Sequence, residues 1–174
     1  MLWILIAMRL LVPGANHERW AAALDAVVVR EGVIFKDDDG GRRSRAFATA
    51  VSFRESSLRP EVVGDCLDPK YSTPGRCRWE GRPTSFCGLQ VHLVDAKGNP
   101  EGVRTAEGWS GRDLVEDPEK CATVGYRMLR ESARACPAAP LAVFARGNCD
   151  SAEGRRISAD RMALAKRLVA EVKP

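Results

Sequence analysis

Histidine is nearly absent from this 174-residue chain: only His17 and His92 occur, and neither stands at ligand spacing from a cysteine. There is no C-x-x-C pair either, so zinc is disfavoured, no metal or cofactor is expected, and both histidines read as structural. Lysine is scarce, six residues against 21 arginines, and the net charge of +4 rests mainly on side chains that fork onto carboxylates and phosphates. Those arginines are interspersed with acids and form no basic block, which argues against nucleic-acid binding. The first twelve residues are the leading apolar run and are too short to cross a bilayer, so no transmembrane span is expected. No repeat or low-complexity tract appears, which removes solenoid and repetitive disordered architectures.

What is present describes one globular domain. Hydrophobic content of 45% and charged content of 29% are ordinary, and the length suits a single core. Six cysteines, at 66, 77, 87, 121, 136 and 149, point to disulfides and an oxidising compartment, hence a periplasmic or secreted protein. A helix between Cys121 and Cys136 would separate them by about 22 Å, beyond the ~7 Å that a disulfide tolerates between Cα atoms. Cys136 with Cys149 is a geometrically reasonable short loop. Met1–Val12 resembles a signal-peptide apolar region, although Arg9 interrupts it and no basic residue precedes it. Residues 1–15 are therefore read as a leader or N-terminal apolar segment, with 16–174 as one domain.

Helical signals bracket an irregular middle. His17–Arg30 places Trp20, Leu24, Val27 and Val28 on one face and stops at Gly32. Asp37-Asp38-Asp39-Gly40-Gly41 reads as a solvated loop, because the glutamate that completes an EF-hand is missing. A second helix over about Arg43–Leu58 ends at Pro60 and carries Glu55. On that helix Glu55 lies about 40° from Val51 and about 60° from Leu58. Apolar neighbours that strip its water make it a candidate proton donor. Residues 64–112, with eight glycines, four prolines and three cysteines, read as loops with a short hairpin facing a ligand. Trp79 and Trp109 fall there, and aromatic faces on loops stack on sugar rings. Asp117-Pro118 opens a helix to about Ala135, a short helix spans Leu141–Ala145, and a last one follows a Ser158 cap.

In this order, several motifs resemble the lysozyme-like, soluble lytic transglycosylase family. Glu55-Ser56-Ser57-Leu58-Arg59-Pro60 resembles the family's Glu-Ser-x-x-x-x-Pro with the proline one place early, and Val63-Gly64-Asp65 follows like its next loop. Cys87-Gly88-Leu89-Gln90-Val91 is similar to its Gly-Leu-Met-Gln motif, with Leu89 at the Met place. Leu141–Cys149 resembles its Ala-Tyr-Asn-x-Gly segment, with Phe144 where the family has tyrosine.

The resemblance implies a mainly α, α+β lysozyme-like fold with a disulfide-tied cleft. It also implies cleavage of the β-1,4 bond between N-acetylmuramic acid and N-acetylglucosamine in peptidoglycan strands by a monomer. Glu55 would be the general acid and base and the product a 1,6-anhydro sugar, with Ser56, Gln90, Phe144, Trp79 and Trp109 at the substrate. The family tyrosine contacts the catalytic carboxyl, a hydrogen bond that Phe144 cannot make. A lysozyme-type hydrolase would need a second carboxylate, for which Asp65 and Asp68 are the candidates. A weakened glycan-binding module of the same fold, and a secreted structural domain, are the non-enzymatic alternatives.

Overall fold

The computed structural model describes residues 1–73 and 76–173. Among them are seven α-helices: α1 (Leu2–Leu11), α2 (Glu18–Glu31), α3 (Arg42–Ser56), α4 (Gly111–Glu116), α5 (Pro118–Ala135), α6 (Ala142–Arg146) and α7 (Ala152–Glu171). Strands β1 (Val63–Cys66), β2 (Ser72–Thr73), β3 (Arg76–Cys77), β4 (Pro83–Phe86) and β5 (Val91–His92) occupy the irregular middle. The chain is thus mainly helical with a small antiparallel sheet, ordered β1-β4-β5, and a separate β2-β3 pair.

Small side chains make α3 the central helix. Ala46, Phe47, Ala48, Ala50 and Val51 are all fully buried, and α1, α2 and α7 pack around them. Its start is held from the preceding loop, where the Asp38 carboxylate accepts from the backbone N–H groups of Arg43 and Ser44 at 2.7 and 2.6 Å. Two of the four N–H groups that a helix start leaves free are satisfied in this way. The tri-aspartate stretch therefore serves the helix as well as the solvent. At the other end Ser57 and Leu58 take left-handed backbone, with φ of 55° and 63°, and stop the helix before Pro60.

α5 begins and ends where Asp117-Pro118 and Cys136 place it. The Asp117 side chain accepts from Glu119 N and Lys120 N, and Pro118 occupies a position where no N–H is needed. α7 differs from the sequence reading: it is capped by Ser151, whose hydroxyl accepts from Gly154 N. Ser158 is instead buried within the helix and accepts from Leu141 N at 3.1 Å, fixing the start of α6. Three disulfides, Cys66–Cys77, Cys87–Cys121 and Cys136–Cys149, tie the sheet region, the sheet to α5, and the loop that carries α6.

Residues 2–11, read from the sequence as part of a leader or N-terminal apolar segment, form a helix with one face in the core. Ile4, Ala7 and Met8 have no exposed surface, the Trp3 indole donates to Val172 O, and the Met1 ammonium pairs with Asp25 at 2.7 Å. An apolar run of this length has the composition of either a leader or a buried helix, so composition alone did not decide. None of the helices among the described residues is long and apolar enough to cross a membrane.

α2 and α5 are joined by a charged clasp. Arg127 Nε and Nη2 donate to Glu31 at 3.0 and 2.8 Å, and Tyr126 Oη donates to Gly32 O at 2.8 Å. Hydrogen bonds from Arg127 hold the Glu31 carboxyl below its ordinary value of 4.5, against the opposing effect of burial. A depressed folded-state value stabilises the fold above the unfolded value, and that contribution is lost as pH falls through the folded one. The melting temperature should accordingly drop as the solution is acidified below about pH 4.5. Glu31→Gln should lower it by a few degrees at neutral pH and flatten the acid limb; a variant with an unchanged acid limb would remove Glu31 from the explanation.

Candidate functional site

One cleft of about 770 Å³ runs between the end of α3, the sheet and the α6–α7 pair. Glu55 reaches it from the last turn of α3, Asp65 from β1, Gln90 from the turn before β5, Phe144 and Arg146 from α6, and Arg161 from α7. Three stretches widely separated in sequence, around residues 55, 90 and 144, therefore contribute to a single wall.

Glu55 is a quarter exposed and accepts from Arg161 Nη2 at 3.1 Å. The apolar face expected beside it is interrupted by this guanidinium, which also pairs with Asp160 at 2.9 Å. Arg146 is held charged first by hydrogen bonds with Glu153, and the fields of Asp65 and Glu55 add to that effect.

Gln90 is placed by unusual backbone. Its φ is 50° and that of Cys87 is 65°, conformations that cost about 1–3 kcal/mol each outside glycine. Its Nε2 donates to Cys87 O at 2.8 Å, and its Oε1 lies against Gly64. The Cys87–Cys121 disulfide anchors this turn to α5. Gly64 makes room for the amide, because a Cβ there would overlap Gln90 Oε1. Gly64→Ala should push Gln90 from its place and reduce any activity of the cleft about tenfold or more, with only a few degrees of lost melting temperature. Equal activity in the two proteins would show that the Gln90 position is not critical.

Asp65 is the third polar group. Its φ of 52° is left-handed, Thr84 Oγ1 donates to its carbonyl at 3.0 Å, and Ser85 Oγ donates to Oδ2 at 2.5 Å. His92 Nδ1 lies 3.3 Å from the same Ser85 Oγ. Ser85 and His92 are cross-strand partners in the β4–β5 register. Asp68 is placed differently: it accepts from Lys70 N and pairs with the Lys70 ammonium at 3.1 Å, outside the cleft.

The other sequence-selected residues are dispersed. Ser56 is buried, with its hydroxyl 2.9 Å from both Ser52 O and Gly88 O, so it joins α3 to the turn carrying Gln90 and does not face the cleft. Trp79 borders another hollow, stacked on Phe86 at 5.9 Å and covered by Arg112 at 4.9 Å. Trp109 lies in a third, charged hollow with Lys120 over its ring at 5.7 Å. Neither indole lines the cleft with Glu55 because the loops turn them to other faces. His92, read as structural, does line it, from β5 immediately after the turn that carries Gln90. Arg161 lies 106 residues from Glu55 and gave none.

No protein-family model, curated protein or solved structure matches this chain.

Proposed function

We propose that the cleft cleaves the β-1,4 bond between N-acetylmuramic acid and N-acetylglucosamine in peptidoglycan, in an extracytoplasmic compartment where its three disulfides persist. The observation that supports this most is the meeting of Glu55, Gln90 and Phe144 in one concave site. Those residues belong to the three motifs that carry the family resemblance, and a chance match would have no reason to bring them together.

Protonated Glu55 gives its proton to the glycosidic oxygen as the bond to C1 breaks. The resulting carboxylate then takes the proton of the muramoyl C6 hydroxyl, whose oxygen bonds to C1. The products are a free 4-hydroxyl and a 1,6-anhydro end, Glu55 regains its proton, and no water is consumed. The Arg161 ion pair belongs to the carboxylate form, so substrate entry has to separate Arg161 from Glu55 before the first step. Phe144 offers the sugar an apolar surface and leaves the carboxyl without the hydroxyl that the family places there.

A specific observation favours one second reading. Asp65 lines the same cleft with its carboxylate held by Ser85, as an inverting hydrolase would need for the residue that activates water. The mass of the soluble sugars released from purified peptidoglycan separates the two. Anhydro ends, lighter by one water and still produced by Asp65→Asn, are expected; reducing ends that vanish in Asp65→Asn would establish hydrolysis.

A further inference from the structure

α1 is apolar on both of its sides, and the fold uses only one of them. Ile4, Ala7 and Met8 fill the core, whereas Leu2, Ile6 and Leu10 are 70%, 38% and 53% exposed. These three recur every fourth residue and form one stripe within about 80° of the helix circumference. With Met1 they account for four of the eight large apolar side chains exposed among the described residues. Arg9 stands about 20° from Leu2 on the same side, 59% exposed, with Glu18 at 4.0 Å as its ion-pair partner among the described residues.

We propose that this outward face of α1 docks on the surface of an anionic lipid bilayer. The stripe sinks into the boundary between headgroups and acyl chains, and Arg9 lies at its border with an aliphatic stem in the apolar layer and a guanidinium at a lipid phosphate. The helix lies on the bilayer and does not cross it: ten residues extend about 15 Å, half the hydrocarbon thickness of about 30 Å. A second copy of this chain fits the face less well, since a standard protein interface engages about 20–30 residues a side and this stripe presents three. The charge is complementary to an anionic surface, with Arg9 in the stripe and a net +4 on the chain. The nearby Met1 ammonium is already satisfied by Asp25 and adds little. So small an apolar patch gives weak, reversible attachment.

The full oxidised chain, sedimented with large vesicles of phosphatidylglycerol and phosphatidylcholine in equal parts, is expected to partition onto them, and less onto phosphatidylcholine alone. Leu2→Asn, Ile6→Asn and Leu10→Asn combined should reduce that partition roughly tenfold or more. Arg9→Glu should weaken binding to the anionic vesicles and leave the neutral ones nearly unaffected. Should the triple variant melt differently from the parent, Ile6→Trp decides: a blue-shifted emission on vesicles supports docking, and an unshifted one overturns it. Parent protein that stays in the supernatant, or a correctly folded triple variant that binds equally, overturns it too. A parent dimer in light scattering that the triple variant dissociates would assign the stripe to a second copy instead.

Discussion

Glu55→Gln is expected to stop release of soluble sugars from peptidoglycan while the protein stays folded. The amide has the shape of the carboxyl and can still accept a hydrogen bond from Arg161 through its oxygen, so the local geometry is retained. What it loses is a transferable proton. General acid–base assistance contributes about 10²–10⁴ in rate, and in the proposed reaction the same group would serve both the departure of the leaving oxygen and the attack of the C6 hydroxyl. A fall of at least about 10³ in initial rate is therefore anticipated. The structural cost is smaller. Arg161 is only 17% exposed, but it keeps Asp160 at 2.9 Å after the Glu55 charge is removed. A shift of only a few degrees in melting temperature should follow. Initial rates from mass spectrometry of muropeptides, with thermal melts on the same preparations, make the comparison. A variant retaining a tenth or more of the parent rate would remove Glu55 from the acid–base role.

Arg161 gives the proposed chemistry a distinctive feature. In the proposed reaction Glu55 has to act in two states, as proton donor and as carboxylate, and the Arg161 contact at 3.1 Å has to open before the first. The family tyrosine, uncharged, would support either state, and Phe144 supports neither by hydrogen bonding. In the proposed reaction a sugar entering between α3 and α7 would replace the ion pair with its own contacts, so that binding and proton transfer would be coupled at this position.

The helices were legible because their ends are local chemistry. Asp117 and Pro118 satisfy or remove the free N–H groups of α5 whatever its surroundings, and the pairing of Cys136 with Cys149 follows from a short loop after a helix that keeps Cys121 out of reach. The start of α7 was misread because Ser151 and Ser158 offer the same side chain, and only the packing of α6 on α7 buries the second. The sheet was faint because its strands are two to four residues long and joined through left-handed turns at Arg82, Cys87 and Gln90. Glu55 and Gln90 could be found in the sequence since each belongs to a compact motif. Arg161 could not be placed with them, because its position depends on how α7 lies against α3; Asp65 was named as a candidate second carboxylate, but the left-handed φ that lets Ser85 reach it left no mark in the sequence. Trp79 and Trp109 show the converse, where residue type suggested a sugar platform and loop geometry directed the rings elsewhere.

The largest effect on stability is expected from removing residues 1–15. Ile4 and Met8 are fully buried and Leu5 is 9% exposed, and burying each such side chain stabilises by about 1.5–3 kcal/mol. The loss of α1 also uncovers apolar surface on α2 and α3, unpairs Asp25 from the Met1 ammonium and takes Val12 O from the ring of His17. Together this is on the order of 5 kcal/mol or more, a large part of the ~5–15 kcal/mol that holds a typical domain folded. For a chain of this size that corresponds to a melting temperature lower by about 10–20 °C. Circular dichroism melts of residues 1–174 and 16–174, both with disulfides intact, measure it. Coincident melts would mean that the contacts of α1 contribute nothing to the fold. Point variants then separate its two faces. Ile4→Asn, on the buried side, should reproduce much of the loss, whereas Leu10→Asn, on the outward side, should lower the melt far less because about half of its side chain is already in water in the folded chain.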